Sequence, residues 1–305
     1  MINTVRKTQN NVALVGVLCV LVATIGLSFK AIFIKLVYQA DPSIDAISIL
    51  AIRFILAMPF FLLLLWYANK KQPRQQAIKL SQVPTFLILG MLGFYLSAIL
   101  DFSALAYIPA SLERLILFLY PTFVVIISFF VRPKEVTRSV IFALCVSYAG
   151  VVVTFIELMP SMTPDLITGS LLVLSAAVVF AFYTVGSVKP INEFGSIRFT
   201  TYALFAASIS TLGHAYFIHG GDLFNRSLEV YAWILPMAIV STVLPLILMA
   251  EGIKRIGASS SSIVATSGPL ITISMAVLIL DESFGTLQAI GGLMIVLGVF
   301  FVARK

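Results

Sequence analysis

Five ionisable side chains sit inside strongly apolar stretches of this chain: Lys30, Arg53, Asp101, Glu113 and Arg114. Ionisable groups are costly in hydrocarbon, so they face a protein interior or polar cavity and mark ligand or proton pathways. With all five ionised, three bases against two acids leave one positive charge to meet an anionic group such as a carboxylate. Asp101 and Glu113 are the carboxyls placed to take up a coupling proton. Glu113 and Arg114 are adjacent, so on a helix they point about 100° apart. One can face a cavity while the other anchors a neighbouring helix. Lys30 shares a helical face with Ala23 and Gly26, small residues that admit a close helix or leave room for a ligand. Arg53 reads as a helix-end cation paired with Asp41, Asp45 or Asp101.

Uncharged polar groups extend the candidate binding set. Tyr95, Tyr120 and Tyr183 combine an apolar ring with a polar tip. Thr242, Ser262 and Thr266 supply hydroxyls from the second half of the chain. Pro121, Pro245 and Pro269 fall where a broken helix would free carbonyls to line a cavity.

The elements that hold these groups follow from composition. Of 305 residues, 60% are hydrophobic and 11% charged, with mean hydropathy +1.07. A soluble domain carries roughly 25% charged residues, so this chain is an all-α integral membrane protein in a lipid bilayer. A spanning helix needs about 20 mostly apolar residues. That rule gives ten candidates near Val12–Val37, Ile44–Trp66, Val83–Ala106, Ala110–Val131, Val140–Met159, Thr168–Val188, Ser196–Ile218, Tyr231–Ile253, Ala258–Leu280 and Thr286–Val302. The first run is longer than the roughly 7–15 apolar residues of a signal peptide and reads as a retained helix.

With the N-terminus in the cytoplasm, Arg6, Lys7, Lys70, Lys71, Arg74, Lys79, Arg132, Lys134, Arg138, Lys189, Arg198, Lys254, Arg255, Arg304 and Lys305 all fall on that side. Asp41, Asp45, Glu157, Asp165, Asp222, Glu229, Asp281 and Glu282 fall opposite. This basic-inside asymmetry predicts both termini in the cytoplasm of a cell's inner (plasma) membrane. It also accounts for the net charge of +7 without a nucleic-acid partner. Cys19 and Cys145 give neither metal spacing nor a disulfide framework.

The chain resembles itself. A shift of 148 residues carries Ile108, Ala110, Ser111, Pro121, Gly150 and Val151 onto Ile256, Ala258, Ser259, Pro269, Gly298 and Val299. A shift of 153 carries Gly16, Leu18, Val20, Leu21, Ala23 and Phe29 onto Gly169, Leu171, Val173, Leu174, Ala176 and Phe182. Two units follow, residues 1–159 and 160–305. Five helices per unit force the second copy to enter the membrane inverted, the organisation of secondary transporters with a midplane site between the halves. At the same shift Glu113 and Arg114 correspond to Ser261 and Ser262, so only one half carries the charges.

Gly26-Leu27-Ser28-Phe29, Arg53-Phe54, Ala110-Ser111 leading to Tyr120-Pro121, Gly257-Ala258-Ser259, Gly268-Pro269 and Asp281-Glu282 together resemble the EamA type of the drug/metabolite transporter superfamily. The resemblance spans the whole chain. It implies a ten-helix bundle around a central cavity that often exports amino acids or related metabolites by alternating access. The charged pair at 113–114 departs from the small residues usual there. An uptake or exchange carrier for a nucleoside, organic cation or organic acid is the alternative, and a channel would need a selectivity ring. The chain lacks H-E-x-x-H and G-x-S-x-G, and His214 and His219 lie near a helix end. Neither enzyme, metal nor cofactor is expected, and the assembly is a monomer or homodimer.

Overall fold

The computed structural model describes residues 2–71, 80–131, 138–158, 162–265 and 267–303. Among them the chain is helical, with no strand. Two long helices, α1 (Ile2–Ala40) and α2 (Ala46–Lys71), lead into α3 (Val83–Gly90), a π-turn (Met91–Leu96) and α4 (Ser97–Ala104), which form one rod. There follow α5 (Ala110–Leu117), α6 (Tyr120–Val131), α7 (Arg138–Leu158), α8 (Pro164–Phe194) and α9 (Ser196–His219). A second π-turn (Ile239–Val243) joins α10 (Leu228–Ala238) to α11 (Leu244–Ala265), and α12 (Gly268–Leu280) and α13 (Thr286–Ala303) complete the chain. The expected boundary between Ile253 and Ala258 falls inside α11, which runs on to Ala265, and α12 begins at Gly268, just before Pro269.

Among the described residues six segments are long and apolar enough to cross a bilayer: Leu14–Ala40, Ala46–Tyr67, Leu80–Ala104, Ala110–Phe130, Pro164–Ile191 and Leu228–Met249. Cys145–Glu157, Gly268–Leu280 and Thr286–Gly298 are shorter apolar helices. Large apolar side chains cover the outside, with Phe217 90%, Phe130 79% and Leu278 73% exposed. Such a surface is stable only against lipid. Inside the bundle, polar groups including Ser28, Asp101, Glu113, Thr211 and Thr272 are buried among apolar side chains.

Lipid tails are as apolar as leucine, so these helices associate through close packing and polar contacts. Helix α1 runs antiparallel to the α10–α11 rod: Gly16 meets Arg255 and Ile256, while Gly26 meets Val240 and Pro245. Helix α8 runs antiparallel to the α3–α4 rod in the same manner, with Gly169 against Ile108 and Gly186 against Leu89. Helices α2 and α9 pair, as do α7 and α13. At the last crossing Gly150 and Gly291 bring the two backbones together.

Capping fixes several helix ends. The Thr163 hydroxyl accepts from Leu166 N at 3.2 Å, with Pro164 in the first turn of α8, a strong N-terminal signal. Helix α5 has no local cap; Glu282 reaches it from beyond α12, accepting from Ala110 N (2.7 Å), Ser111 N (3.0 Å) and Ser111 Oγ (2.7 Å). Asp281, in the left-handed conformation at φ 52°, turns the chain so that this carboxylate can face α5. Aspartate tolerates that region better than most residues.

The α1–α2 turn is held by carboxylates. Asp41 accepts from Ser43 Oγ (2.6 Å), Ser43 N (3.0 Å) and Arg226 Nη1 (3.3 Å), and these donors, Ser43 foremost, hold its carboxyl below the usual range. Burial pushes the Asp45 carboxyl up, but bonds from Ser48 and His219 outweigh it and the net direction is also down. A lowered folded value stabilises above the unfolded pKa, near 3.9, and that stabilisation is lost as pH falls through the folded value. The melting temperature of the purified protein is therefore expected to fall between about pH 5 and 2. Asp41→Asn with Asp45→Asn makes that acid limb shallower; an unchanged limb would remove the two carboxylates as its source.

Candidate functional site

Helices α1, α4 and α5 converge on one buried charge cluster. Lys30 of α1 is ion-paired and hydrogen-bonded to Asp101 Oδ2 of α4. The same ammonium lies 3.7 Å from Glu113 Oε1 of α5. The Lys30 side chain is 16% exposed, Asp101 6% and Glu113 not at all. Positions 71 and 83 residues away in sequence thus share one cation.

Around this cluster the backbone is braced. Tyr38 OH donates to Phe102 O at 2.9 Å, tying α1 to α4 next to Asp101. Ser28 Oγ donates to Thr24 O (2.8 Å) and to Gly268 O (3.1 Å), and Thr272 Oγ1 also donates to Gly268 O (3.1 Å). The Ser28–Gly268 bond ties α12 to α1 two residues from Lys30.

Arg114 turns away from Glu113 toward this seam. A Cβ at Gly268 would stand 3.3 Å from Arg114 Nη2 and 3.4 Å from Thr24 Cγ2, so the glycine makes room for the guanidinium. The side chain remains within electrostatic reach of Asp101, Glu113 and Tyr120. Glu113 and Arg114 therefore point to different neighbours.

Several polar atoms here lack a hydrogen-bond partner. Both Glu113 oxygens, Asp101 Oδ1, Arg114 Nε and Arg53 Nε are buried without a hydrogen bond. Buried polar atoms are normally paired, and an exception calls for a reason. Glu113 offers acceptors and Arg114 a donor, so together they suit a ligand bearing both an ammonium and a carboxylate.

Arg53 departs from the ion-pair expectation. Its guanidinium lies over the rings of Phe102 (4.9 Å) and Phe54 (5.1 Å), while Asp41 meets Arg226 and Asp45 meets His219. Desolvated cation–π contacts of this kind contribute about 2 kcal/mol or more. Asp101 remains the one predicted partner within its electrostatic reach.

The other predicted residues separate into groups. Tyr120 stands beside Arg114 and contacts Phe180 edge-on at 5.4 Å. Tyr183 packs over Gly93 and among Phe94, Phe180 and Phe199, a buried aromatic cluster continuous with Phe86. Tyr95 points to α9, its hydroxyl 2.9 Å from His214 Nδ1. Thr242 is buried and donates back to Met237 O of α10 at 3.3 Å. Residue 262 is helical with its side chain outside the described set, and Thr266 lies outside the described residues. Among the described residues, then, the charge cluster gathers Lys30, Asp101, Glu113 and Arg114, with Tyr120 at its edge.

A family profile for EamA-like transporters matches residues 14–156 and again 167–304. The chain belongs to the EamA-like transporter family. It is 31% identical over 300 residues to the Uncharacterized transporter YcbK of Bacillus subtilis (strain 168), covering 95% of this chain and 92% of that one. An uncharacterized transporter of Archaeoglobus fulgidus is 24% identical over 292 residues, covering 95% and 98%. A solved crystal structure superposes with a TM-score of 0.61 at 18% identity, covering 97% of this chain and 99% of the other; that likeness speaks for the fold alone. Family membership and the apolar helices make this EamA-like protein a multi-pass membrane transporter.

Proposed function

We propose that this EamA-like protein is a secondary carrier that exports amino acids or their derivatives by alternating access. The observation that carries the reading is the buried cluster of Lys30, Asp101, Glu113 and Arg114, in which the Glu113 oxygens and Arg114 Nε make no hydrogen bond. An amino acid presents the complementary pair of charges. Its ammonium would lie against Glu113 and its carboxylate against Arg114. Glu113, or Asp101 in its place, would carry a coupling proton, because among the described residues Lys30 is the one base within salt-bridge distance of both carboxyls.

Ten crossings in two inverted five-helix repeats, residues 1–159 and 160–305, belong to the same proposal. What supports them is correspondence between the halves. The π-turns begin at Met91 and Ile239, 148 residues apart. Gly16 abuts Ile256, and the equivalent Gly169 abuts Ile108. Just as α1 packs on α11 and α12, α8 packs on α4 and on α5–α6. Halves related in this way offer two packings of similar energy, inward-open and outward-open. The basic-inside asymmetry supports cytoplasmic termini in an inner membrane, and the carrier works as a monomer or homodimer.

The test is counterflow in vesicles preloaded with unlabelled amino acids, reading uptake of a labelled one. The expected result is saturable, accelerated uptake that Glu113→Gln lowers at least about tenfold, a 1.4 kcal/mol effect. A proton gradient should change the rate. Flux that does not saturate would indicate a channel. Full activity in both Glu113→Gln and Lys30→Ala would remove the cluster from the pathway, and indifference to the gradient would remove the proton.

A further inference from the structure

One carboxylate ties together the end of the bundle where α1 and α12 finish and α5 begins. Glu282 accepts from Ala110 N (2.7 Å), Ser111 N (3.0 Å) and Ser111 Oγ (2.7 Å), bonds that join positions 171 and 172 residues apart. Helix α5 has no side-chain cap of its own at this end. Its first free N–H groups therefore depend on a residue from the other half of the chain. The acceptor is charged and faces the positive end of a helix dipole, which makes these bonds strong while they last. Two rigid helices can make and break such a contact without either one unfolding.

Open space lies on one side of this contact and the charge cluster on the other. A pocket of about 260 Å³, lined by Lys35, Gln39, Tyr107, Pro109, Leu280 and Glu282 itself, adjoins the bonds. Lys35 and Glu282 share its wall with opposite charges, and Lys35 is also within electrostatic reach of Glu113. Along α1, Lys35 is five residues from Lys30, about 7.5 Å; along α5, Ala110 is three residues from Glu113, about 4.5 Å. The barrier between pocket and cluster is thus about one helical turn thick. Ile34 and Ala110, both 0% exposed and in one apolar cluster, belong to it.

The loop that carries Glu282 is anchored elsewhere. Glu157 of α7 accepts from Gln288 N, in the first turn of α13, at 2.7 Å, and Gly150 and Gly291 hold those two helices together. When Glu282 lets go, α5 is the body free to move, and Glu113 and Arg114 move with it.

We propose that Glu282 is the latch of a gate at this end of the bundle. Bonded to α5, it keeps the charge cluster sealed; released, it lets α5 swing away and opens the pocket through to Lys30 and Glu113. That this opening alternates with access from the opposite end rests on the carrier reading; the latch itself does not.

The test reads solvent access to single cysteines in a Cys19→Ala, Cys145→Ala background, with the protein in nanodiscs. Ile34→Cys reports on the barrier. Thr24→Cys, at a position 3% exposed and nearer the other end of α1, reports on the far side of the cluster. The probe is the cationic reagent trimethylammonium-ethyl methanethiosulfonate. Adding Glu282→Gln should speed labelling of Ile34→Cys about tenfold, the order expected when hydrogen bonds to a charged acceptor are lost. Labelling of Thr24→Cys should stay unchanged or slow down. Removing a negative charge would by itself slow a cationic probe, so acceleration reports opening. Ser111→Ala, which deletes one of the three bonds, should give a smaller acceleration at Ile34→Cys. No acceleration there with Glu282→Gln overturns the proposal, and so does equal acceleration at both cysteines, which would mark general loosening. If Ile34→Cys fails to fold, Ala31→Cys, in the same buried cluster, takes its place. Labelling measures no transport, so a gate that opens in a protein carrying no amino acid would sink the carrier reading and leave the latch standing.

Discussion

Lys30→Met is expected to destabilise the purified protein by about 3–5 kcal/mol, the usual cost of removing one partner from a buried charge pair. Asp101 and Glu113 are 6% and 0% exposed, and Lys30 is the cation both of them meet. Among the described residues no other base lies within salt-bridge distance of either carboxyl. Removing the ammonium therefore leaves two acids facing each other in a space that water does not freely enter. The physical remedy is to remove one acid as well. Lys30→Met combined with Asp101→Asn leaves Glu113 as the one acid, relieved of a second carboxylate and still within electrostatic reach of Arg114. The double variant should recover well over half of the lost stability in thermal melts. If the losses of the two single variants simply add, the cluster is not a coupled unit and the centre of the proposed site is lost.

Gly291→Val should be nearly as damaging, for a reason that involves no charge. A Cβ built on Gly291 falls closer than van der Waals contact to the Gly150 carbonyl oxygen, Thr154 Oγ1 and Thr154 N. Two of those three atoms belong to backbone and cannot turn aside. Helices α7 and α13 must then separate along their whole crossing, losing the packing that holds helices together in lipid. A cost of about 3 kcal/mol, at the upper end for overpacking, is expected. Gly213→Ala provides the contrast, since nothing stands within 4 Å of its added carbon and alanine is the better helix former by roughly 0.5–1 kcal/mol. Equal melting temperatures for Gly291→Val and the unaltered protein would show that the two helices do not touch as described.

Rarity made the cluster legible before any coordinates. Lysine, aspartate and glutamate inside apolar runs are expensive, so Lys30, Asp101 and Glu113 announced themselves singly, although nothing in their spacing said that they would meet. Arg53 was legible as a cation but not as a stacked one, because its partner Phe102 is one of 24 phenylalanines. Glu282 was visible in a motif, but capping a helix 172 residues earlier depends wholly on tertiary structure. Tyr95 and Tyr183 looked alike in sequence. Only their neighbours, His214 in one case and an aromatic cluster in the other, give them different work. The helix run from Leu244 to Ala265 also outlasted its expected end, because a short hydroxyl-rich stretch carries no strong stop signal.

The π-turn between α3 and α4 has a bearing on where Asp101 points. A π-turn is an α-helix that has absorbed one surplus residue, and each residue turns an α-helix by about 100°. Before the turn, α3 presents Phe86, Leu89 and Gly90 inward, and its main neighbour is α9. After it, α4 presents Ser97 and Asp101 inward and leans on α8 and α2. The surplus residue works as a phase adjuster, letting one continuous rod satisfy two sets of neighbours. Shortening the chain by one residue between Met91 and Leu96 would restore a regular helix and put the two ends out of step. Asp101 would then swing roughly a quarter-turn away from Lys30, with its identity and its place in the sequence order unchanged.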